Sequence, residues 1–168
     1  MKVSDVDWPN WTPEMIATLM FVVRRDEVLL IRKKRGLGAG KINGPGGRIE
    51  PCETPLQCAV RETEEELLIT PSNIRSAGQL RFHAEDMPRI LAYVFVAASY
   101  TGEPGETDEA IPLWTPTASL PLDEMWDDDR VWLPEVLAGA SVEGWFTFEG
   151  ESMLDHRVEF NREIIPST

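Results

Sequence analysis

Cysteine, long apolar runs and a secretory leader are scarce or missing in this sequence. The 168 residues contain two cysteines, Cys52 and Cys58, and their spacing matches no zinc-binding pattern. No apolar run approaches the roughly 18 residues that a membrane-spanning helix needs, and the polar opening MKVSDVDWPN shows no secretory signal. We therefore expect a soluble cytoplasmic protein with two free thiols and no membrane partner.

Basic residues are also few. Sixteen Lys and Arg face 29 Asp and Glu, which gives a net charge of −13. Nucleic-acid polymers are bound mainly through cationic side chains, so we expect no such partner. Eight of the sixteen basic residues lie between Arg24 and Arg48, opposed only by Asp26 and Glu27. This local excess favours a small polyphosphate ligand, although each charge alone is equally typical of an ordinary surface.

The apolar pattern predicts one α+β domain covering residues 1–168, with its core at about 15–162. Met15–Val23 and Val28–Ile31 are predicted to form a hairpin. Further strands are predicted at 79–82, 90–98 and 111–114, with a strand-turn-strand unit at 144–160. The aspartates at 127–129 are predicted to cap a helix that runs to about Leu137. We expect the first ten and the last few residues to be loosely ordered.

A glycine-rich segment precedes the main predicted helix. Six glycines occur in the sixteen residues from Lys33 to Arg48. Such a segment is predicted to be a loop that brings backbone amides close to a ligand, and phosphate binding is one use of such loops.

The segment after this loop predicts a helix with one apolar and one acidic face. Thr54, Pro55 and Gln57 form a capping-box pattern that predicts a helix from Pro55 to Leu67. At 100° per residue, one face carries only apolar residues and threonine. That face comprises Leu56, Ala59, Val60, Thr63 and Leu67. The opposite face carries Glu62, Glu65 and Glu66.

The three glutamates predict an oxygen-rich site. Like charges four residues apart, as in Glu62 and Glu66, oppose helix formation by roughly 0.2–0.5 kcal/mol. Arg61 can bridge one carboxylate from the flank but leaves the other two facing the same space. Carboxylates in this arrangement suit Mg²⁺ or Mn²⁺. For three glutamates alone, a solvated surface helix is the commoner interpretation.

The full spacing changes that interpretation, because it resembles the signature of the Nudix hydrolases. The signature reads Gly, five residues, Glu, seven residues, Arg-Glu, two residues, Glu-Glu. The matching residues are Gly47, Glu53, Arg61, Glu62, Glu65 and Glu66. Two positions depart from it: Thr63 replaces an apolar residue and Leu68 replaces a glycine. A leucine with positive φ costs about 1 kcal/mol or more, so we expect the helix to end differently here.

The resemblance implies a fold and a metal site. The implied fold is an α/β/α sandwich with a mixed central sheet. The implied metal ion is Mg²⁺ or Mn²⁺, held by Glu62, Glu65, Glu66 and Gly46, with a further acidic residue from a distant loop. Glu109 falls at that place, and Glu106 and Asp108 remain alternatives. Glu53 is expected to orient Arg61 or a ligand.

Flanking segments from about Thr18 to Phe160 are similar to the MutT-homologue branch, which cleaves oxidised purine nucleoside triphosphates. The resemblance implies a base pocket built from polar edge groups and one aromatic ring. The matching residues are Asn43, Trp126, Asp128, Asp129, Lys33 and Thr18. Leu37 replaces an aromatic pocket residue, and Ile90 replaces a methionine. On the residues alone, an aspartate triplet is more typical of a helix N-cap, and a lone tryptophan of a core.

The resemblance implies metal-dependent hydrolysis of a purine nucleoside triphosphate, such as 8-oxo-dGTP or 2-hydroxy-dATP, to monophosphate and pyrophosphate. Alternatives are a diphosphatase for a normal dNTP, a nucleoside diphosphate derivative or an RNA 5′ end, and a nucleotide-binding regulator without turnover. We expect a monomer or a homodimer.

Overall fold

The computed structural model describes residues 1–162. Its strands are β1 (Met15–Arg24), β2 (Glu27–Lys33), β3 (Ile42–Asn43), β4 (Gly46–Arg48), β5 (Thr70–Ala84), β6 (Ile90–Thr101), β7 (Ala110–Pro116), β8 (Ser141–Glu149) and β9 (Ser152–Asn161). Its helices are α1 (Pro55–Leu67) and α2 (Asp129–Leu137), with short 3-10 turns at Val3–Asp5, Trp8–Asn10, Thr117–Ser119 and Leu122–Glu124. All the predicted strands are present, most of them longer than predicted. The glycine-rich loop contains the two short strands β3 and β4.

The strands form one mixed sheet in the order β3-β2-β1-β6-β5-β8-β9, with β4 paired to β1 and β7 paired to β2. The pairs β1-β6 and β5-β8 are parallel, and the remaining pairs are antiparallel. Because β1 is central and also pairs with β4, it joins the glycine-rich loop directly to the middle of the sheet.

Two apolar clusters cover the two faces of the sheet. Side chains alternate along β1, so Phe21 joins the cluster that contains α2, while Met20 and Val22 join the cluster that contains α1. Trp132 fills the first cluster, and Leu67 the second. The two helices therefore lie on opposite faces, and the predicted α/β/α sandwich with a mixed sheet is confirmed.

Helix α1 begins as predicted. The Thr54 hydroxyl accepts from the Gln57 amide at 3.1 Å, and the Gln57 side chain accepts from the Thr54 amide at 2.9 Å. The inward face differs from the prediction, because Leu56 is 44% exposed and both Cys58 and Glu66 are buried. The cause is β4, which packs along the side of the helix that carries these two residues.

The end of α1 corrects our expectation. Leu68 adopts the left-handed conformation, with φ of 64° and ψ of 26°, and its amide donates to the Glu64 carbonyl at 2.9 Å. The helix thus ends as it would with glycine at this position. The leucine side chain is 58% exposed and lies against Gly105, which has no side chain to obstruct it. Strand β5 begins two residues later, at Thr70.

The N-terminal residues, which we expected to be loosely ordered, contact the sheet. The Val3 amide donates to Asp155 at 2.7 Å, and the buried Thr147 hydroxyl donates to the Met1 carbonyl at 2.8 Å. The Trp11 indole donates to His83 at 3.2 Å. These contacts attach the segment to β5, β8 and β9. The final residues, 163–168, lie outside the described part of the chain.

The aspartate triplet does not cap α2 as predicted. Asp128 occupies the N-cap position, but its backbone is already helical and its side chain makes no capping bond. Asp127 instead accepts from the Met153 amide at 3.0 Å, at the start of β9. Pro134 lies inside the helix, beyond its first turn. Neither α1 nor α2, nor any other helix within residues 1–162, is long and apolar enough to cross a membrane.

Candidate active site

Arg61 is the centre of an ion-pair network on α1. Its Nε donates to Glu53 Oε2 at 2.6 Å, and its Nη2 donates to Glu53 Oε1 at 3.0 Å. Its Nη1 donates to Glu62 at 2.8 Å and to Glu65 at 3.2 Å. The guanidinium lowers the pKa of Glu53 to about 2, and these partners raise the pKa of Arg61. Arg61 thus contacts two carboxylates of the predicted cluster, where we expected one.

Glu66 is the member of the cluster that Arg61 does not contact. Its carboxylate is buried and accepts one bond, from the Gly46 amide at 3.2 Å. Burial, and then the charge of Glu62, raise the pKa of Glu66 to about 8. Burial also raises the pKa of Glu62, although the bond from Arg61 opposes this. A cation beside these two carboxylates would relieve both effects.

Gly47 allows α1 to approach the loop this closely. A Cβ at Gly47 would overlap the Glu62 carboxylate, so any side chain there would push the helix away. The predicted motif therefore places a glycine where the backbone of β4 contacts the acidic face of α1.

Glu109 is the acidic loop residue that acts on this cluster. Its charge raises the pKa of both Glu62 and Glu66, although its side chain also pairs with Arg35. Glu106 instead pairs with Lys34 at 2.8 Å, and its side chain is 59% exposed. Glu109 therefore stays the predicted acidic loop residue, with Asp108 as an alternative, while the Glu106 side chain pairs with Lys34.

The cluster fits a hard divalent cation in its chemistry. Within residues 1–162, no group of three or more His, Cys, Asp or Glu side chains is arranged as a metal site. In α1, Arg61 pairs with Glu62 and Glu65 as well as with Glu53. The donors are carboxylate oxygens, which are the ligands that Mg²⁺ and Mn²⁺ prefer. Glu66 holds a poorly compensated buried carboxylate at the same place.

A cavity of about 370 Å³ opens beside Glu66 and Gly46. All eight residues predicted to bind substrate line it. They are Thr18, Lys33, Leu37, Asn43, Ile90, Trp126, Asp128 and Asp129. The cavity therefore joins a side chain of α1, on one face of the sheet, to side chains at the start of α2, on the other.

Asp128 and Asp129 are buried and differ in their partners. Asp128 Oδ2 accepts from the Trp132 indole at 2.8 Å. Asp129 Oδ2 has no partner among the described residues. Burial raises the pKa of Asp128 to about 6, and burial together with the charge of Asp128 raises the pKa of Asp129 well above its ordinary value. Raised pKa values on two adjacent buried carboxylates favour a proton shared between them, and a pair that holds one proton offers one donor beside one acceptor.

Asn43, Lys33 and Thr18 are each held by a neighbour. Asn43 Oδ1 accepts from the Gly44 amide at 2.8 Å, while Nδ2 donates to no group in residues 1–162. Lys33 Nζ donates to the Leu37 carbonyl at 2.7 Å, and its charge lowers the pKa of Glu66. Thr18 Oγ1 lies 3.3 Å from Cys58 Sγ. Asn43 thus lines the cavity with a side-chain donor that has no partner within residues 1–162.

The sequence did not identify the apolar rim of the cavity. Its main residues come from the β5-β6 and β8-β9 turns and the strands beside them: Phe82, Ala84, Met87, Pro88, Phe148 and Gly150. Asp86 joins the two turns by accepting from the Gly150 amide at 3.0 Å. Lys41 was also missed, although it lies 5.2 Å from the Trp126 ring and pairs with Glu151. Lys41 lies in the basic segment between Arg24 and Arg48, and this local excess of positive charge was the sequence feature that could have identified it.

Comparison with known proteins identifies the class. A family model described as "NUDIX domain" matches residues 13–136, which include the acidic helix, the glycine-rich loop and the start of α2. The chain belongs to the Nudix family, and it is a Nudix hydrolase. Nudix hydrolases generally require a divalent metal ion and act on small nucleotide substrates.

Three individual proteins are similar to most of the chain. The chain is 37% identical to "Oxidized purine nucleoside triphosphate hydrolase" of Danio rerio, over 86% of this chain and 94% of that protein. It is 33% identical to the protein of the same name from Mus musculus, over 82% of this chain and 88% of that protein. Among solved structures, the MutT protein of Bacillus halodurans matches with a TM-score of 0.75 and 27% identity, and the match covers 86% of this chain and 97% of that protein.

Proposed function

We propose that this chain hydrolyses a purine nucleoside triphosphate with an oxidised base to the monophosphate and pyrophosphate, using Mg²⁺ or Mn²⁺. The observation that carries the proposal is the single cavity that contains both Glu66 and the Asp128-Asp129 pair. The names of the relatives from Danio rerio and Mus musculus support the same substrate class.

At the acidic end, Glu62, Glu65 and Glu66 would hold the divalent ion, with Glu109 and Gly46 beside them. When bound, the ion neutralises polyphosphate charge and lowers the pKa of bound water. Arg61 keeps Glu62 and Glu65 together, and Glu53 orients Arg61 through its two hydrogen bonds. Lys33, whose charge already acts on Glu66, is placed to meet a phosphate oxygen.

At the other end, the base would lie among groups that can recognise its edge. The Asp128-Asp129 pair, whose raised pKa values favour a shared proton, would offer a donor beside an acceptor, and Asn43 Nδ2 would donate. Trp126 lines the same cavity and offers a large flat surface to a purine. Leu37 and Ile90 supply apolar contact, with Leu37 at the open side, where it is 45% exposed.

We further propose that the protein is cytoplasmic and acts as a monomer or a homodimer without a nucleic-acid polymer as partner. Both cysteines are free, which supports a reducing compartment. Size-exclusion chromatography with light scattering distinguishes the two oligomeric states.

The test is a substrate panel with Mg²⁺ and with Mn²⁺. It comprises 8-oxo-dGTP, 2-hydroxy-dATP, the four normal dNTPs, nucleoside diphosphate derivatives and capped RNA, with release of pyrophosphate and monophosphate measured. We expect the highest kcat/KM for an oxidised purine triphosphate. Turnover confined to diphosphate derivatives or RNA ends would reject the proposed substrate. Tight nucleotide binding without turnover would indicate a regulator.

A further inference from the structure

We infer that Thr107 is a positioning residue that sets the place of Glu109 relative to Glu66. The inference rests on the proposed metal-dependent function, in which both glutamates serve the same ion. Thr107 lies on the long loop between β6 and β7, and its side chain reaches neither the substrate cavity nor the acidic cluster. Its effect is exerted through hydrogen bonds to the backbone of the two glutamates.

One hydroxyl makes both of these bonds. Thr107 Oγ1 donates to the Glu66 carbonyl at 2.9 Å and accepts from the Glu109 amide at 3.2 Å. A hydroxyl is suited to this place because it can donate and accept at once. The backbone of one proposed ligand on α1 is thereby connected to the backbone of another, 43 residues further along the chain, through a single oxygen atom.

The position in α1 explains why this bond is available. The last carbonyls of a helix have no partner within the helix. Here the loop supplies partners for two of these carbonyls. The Gly105 amide donates to the Leu67 carbonyl at 3.0 Å, and the Thr107 hydroxyl donates to the Glu66 carbonyl. The Thr107 amide also donates to the Ala110 carbonyl at 3.0 Å, which closes the loop around Glu109.

The side chain of Glu109 needs such a restraint. It is 44% exposed and pairs with Arg35, which is itself 63% exposed. Exposed ion pairs hold a side chain weakly. The Glu109 carbonyl also accepts from the Lys34 amide at 2.9 Å, which ties Glu109 to the end of β2. Without the Thr107 bond, Glu109 would keep that tie but lose the connection that sets its place relative to the carbonyl of Glu66.

The experiment measures Mn²⁺ affinity of the full chain by isothermal titration and by electron paramagnetic resonance, without substrate. Thr107→Val keeps the shape of the side chain and removes the hydroxyl. Thr107→Ser keeps the hydroxyl. Thr70→Val is the matched control, because Thr70 also bonds a glutamate near the end of α1, Glu64, but connects nothing to Glu109.

We expect Thr107→Val to weaken Mn²⁺ binding about 10-fold, as loss of a group that orients a ligand typically does. Thr107→Ser and Thr70→Val should keep the parent affinity. In kinetics, Thr107→Val should raise the Mn²⁺ concentration needed for half-maximal rate, with kcat restored at saturating Mn²⁺. Parent-like Mn²⁺ affinity in a folded Thr107→Val variant, even with a lower Tm, would make Thr107 a structural loop residue and overturn the inference.

Glu109→Gln separates this failure from a failure of the proposed function. If Glu109→Gln weakens Mn²⁺ binding but Thr107→Val does not, the metal site stands and the role of Thr107 is wrong. If neither Glu109→Gln nor Glu66→Gln changes Mn²⁺ binding, the proposed site itself is wrong, and the inference is rejected with it.

Discussion

Arg61 and Glu53 form a two-point ion pair, with Nε to Oε2 at 2.6 Å and Nη2 to Oε1 at 3.0 Å. The remaining guanidinium nitrogen, Nη1, donates to Glu62 and Glu65. One planar group therefore joins the start of the acidic motif to two of its proposed metal ligands. Lysine cannot reproduce this arrangement, because its ammonium is a single point of charge.

We predict that Arg61→Lys weakens Mn²⁺ binding by about 10- to 100-fold, because Glu62 and Glu65 lose the group that orients them. The measurement is titration calorimetry with Mn²⁺, with kcat/KM for the preferred substrate as a second readout. Arg75→Lys is the control, since Arg75 donates to backbone carbonyls near the end of α2, away from α1. Equal affinity in parent and Arg61→Lys would contradict the prediction.

We predict that Glu66→Gln abolishes most turnover and, in chelator, leaves the protein at least as stable as the parent. Glu66 has a pKa of about 8 in the folded chain, against 4.5 ordinarily. Folding therefore favours its protonated form, so the metal-free parent should lose stability as pH rises from about 4.5 to about 8. The Glu66→Gln variant lacks this titrating group, so its metal-free form should lose less stability over that pH range.

Thermal melts in chelator at pH 5 and pH 8.5 test this, and the two proteins should differ most at the higher pH. Undiminished turnover of the folded variant would count against the proposed metal site. A lower Tm for the variant at pH 8.5 would show that the carboxylate stabilises the metal-free chain.

We predict that Asn43→Asp reduces discrimination among bases and weakens binding of the preferred substrate by about 1–3 kcal/mol, because the amide donor is lost and its partner on the base is left unsatisfied. The aspartate can still accept the bond from the Gly44 amide, so the loop should keep its shape. The measurement is kcat/KM across the substrate panel. An equal loss for every triphosphate would assign Asn43 to the loop and not to the base.

We predict that Asp129→Asn changes the ratio of kcat/KM values among 8-oxo-dGTP, 2-hydroxy-dATP and dGTP without changing Mn²⁺ affinity. Asp129 lines the cavity, and its Oδ2 has no hydrogen-bond partner within residues 1–162. Burial and the charge of Asp128 raise the pKa of Asp129, which favours a proton shared by the two carboxylates. An amide fixes the donor and removes the shared proton. Asp128→Asn should also change the ratio, and it should additionally disturb the Trp132 bond.

Asp127→Asn is the matched control for this pair. Asp127 adjoins Asp128 in sequence, but its carboxylate bonds the Met153 amide and does not line the cavity. The ratios of kcat/KM among the three nucleotides should be the same for Asp127→Asn as for the parent. Constant ratios in all three variants, with changes in stability alone, would remove Asp128 and Asp129 from the base pocket.

We predict that Leu68→Gly stabilises the chain by about 0.5–1 kcal/mol. Relief of the left-handed conformation is worth about 1–2 kcal/mol, and the greater freedom of glycine in the unfolded chain offsets about 0.5–1 kcal/mol of it. The side chain is mostly exposed, so little apolar burial is lost. Urea denaturation measures the difference. Leu56→Gly, at an exposed helical position, should destabilise instead.

The local patterns were predictable where a few neighbouring residues decide the outcome. Thr54, Pro55 and Gln57 determine where α1 begins, because the capping bonds lie within one turn. The hairpin of β1 and β2 was likewise visible from two apolar runs. The end of α1 was not, since a single left-handed leucine costs only about 1–2 kcal/mol, which the rest of the fold can offset.

The site was predictable in its residue types and less so in its connections. The eight pocket residues came from a resemblance, and the cavity brings them together. Asp127 accepts from Met153 and Asp128 from Trp132, although the two aspartates are adjacent in the sequence. These partners depend on the folded positions of Met153 and Trp132, which the sequence around the aspartates does not predict. The link from Thr107 to Glu66 spans 41 residues and had no sequence signal.

The two faces of the sheet have a consequence for how such a protein can change over generations. The acidic helix packs in one apolar cluster, and the aspartates adjoin a helix in the other, so the two ends of the cavity are supported by separate sets of core residues. Mutations that repack α2 can alter which base fits while leaving α1 undisturbed. Selection can therefore exchange the nucleotide that is cleaved without having to rebuild the chemistry that cleaves it.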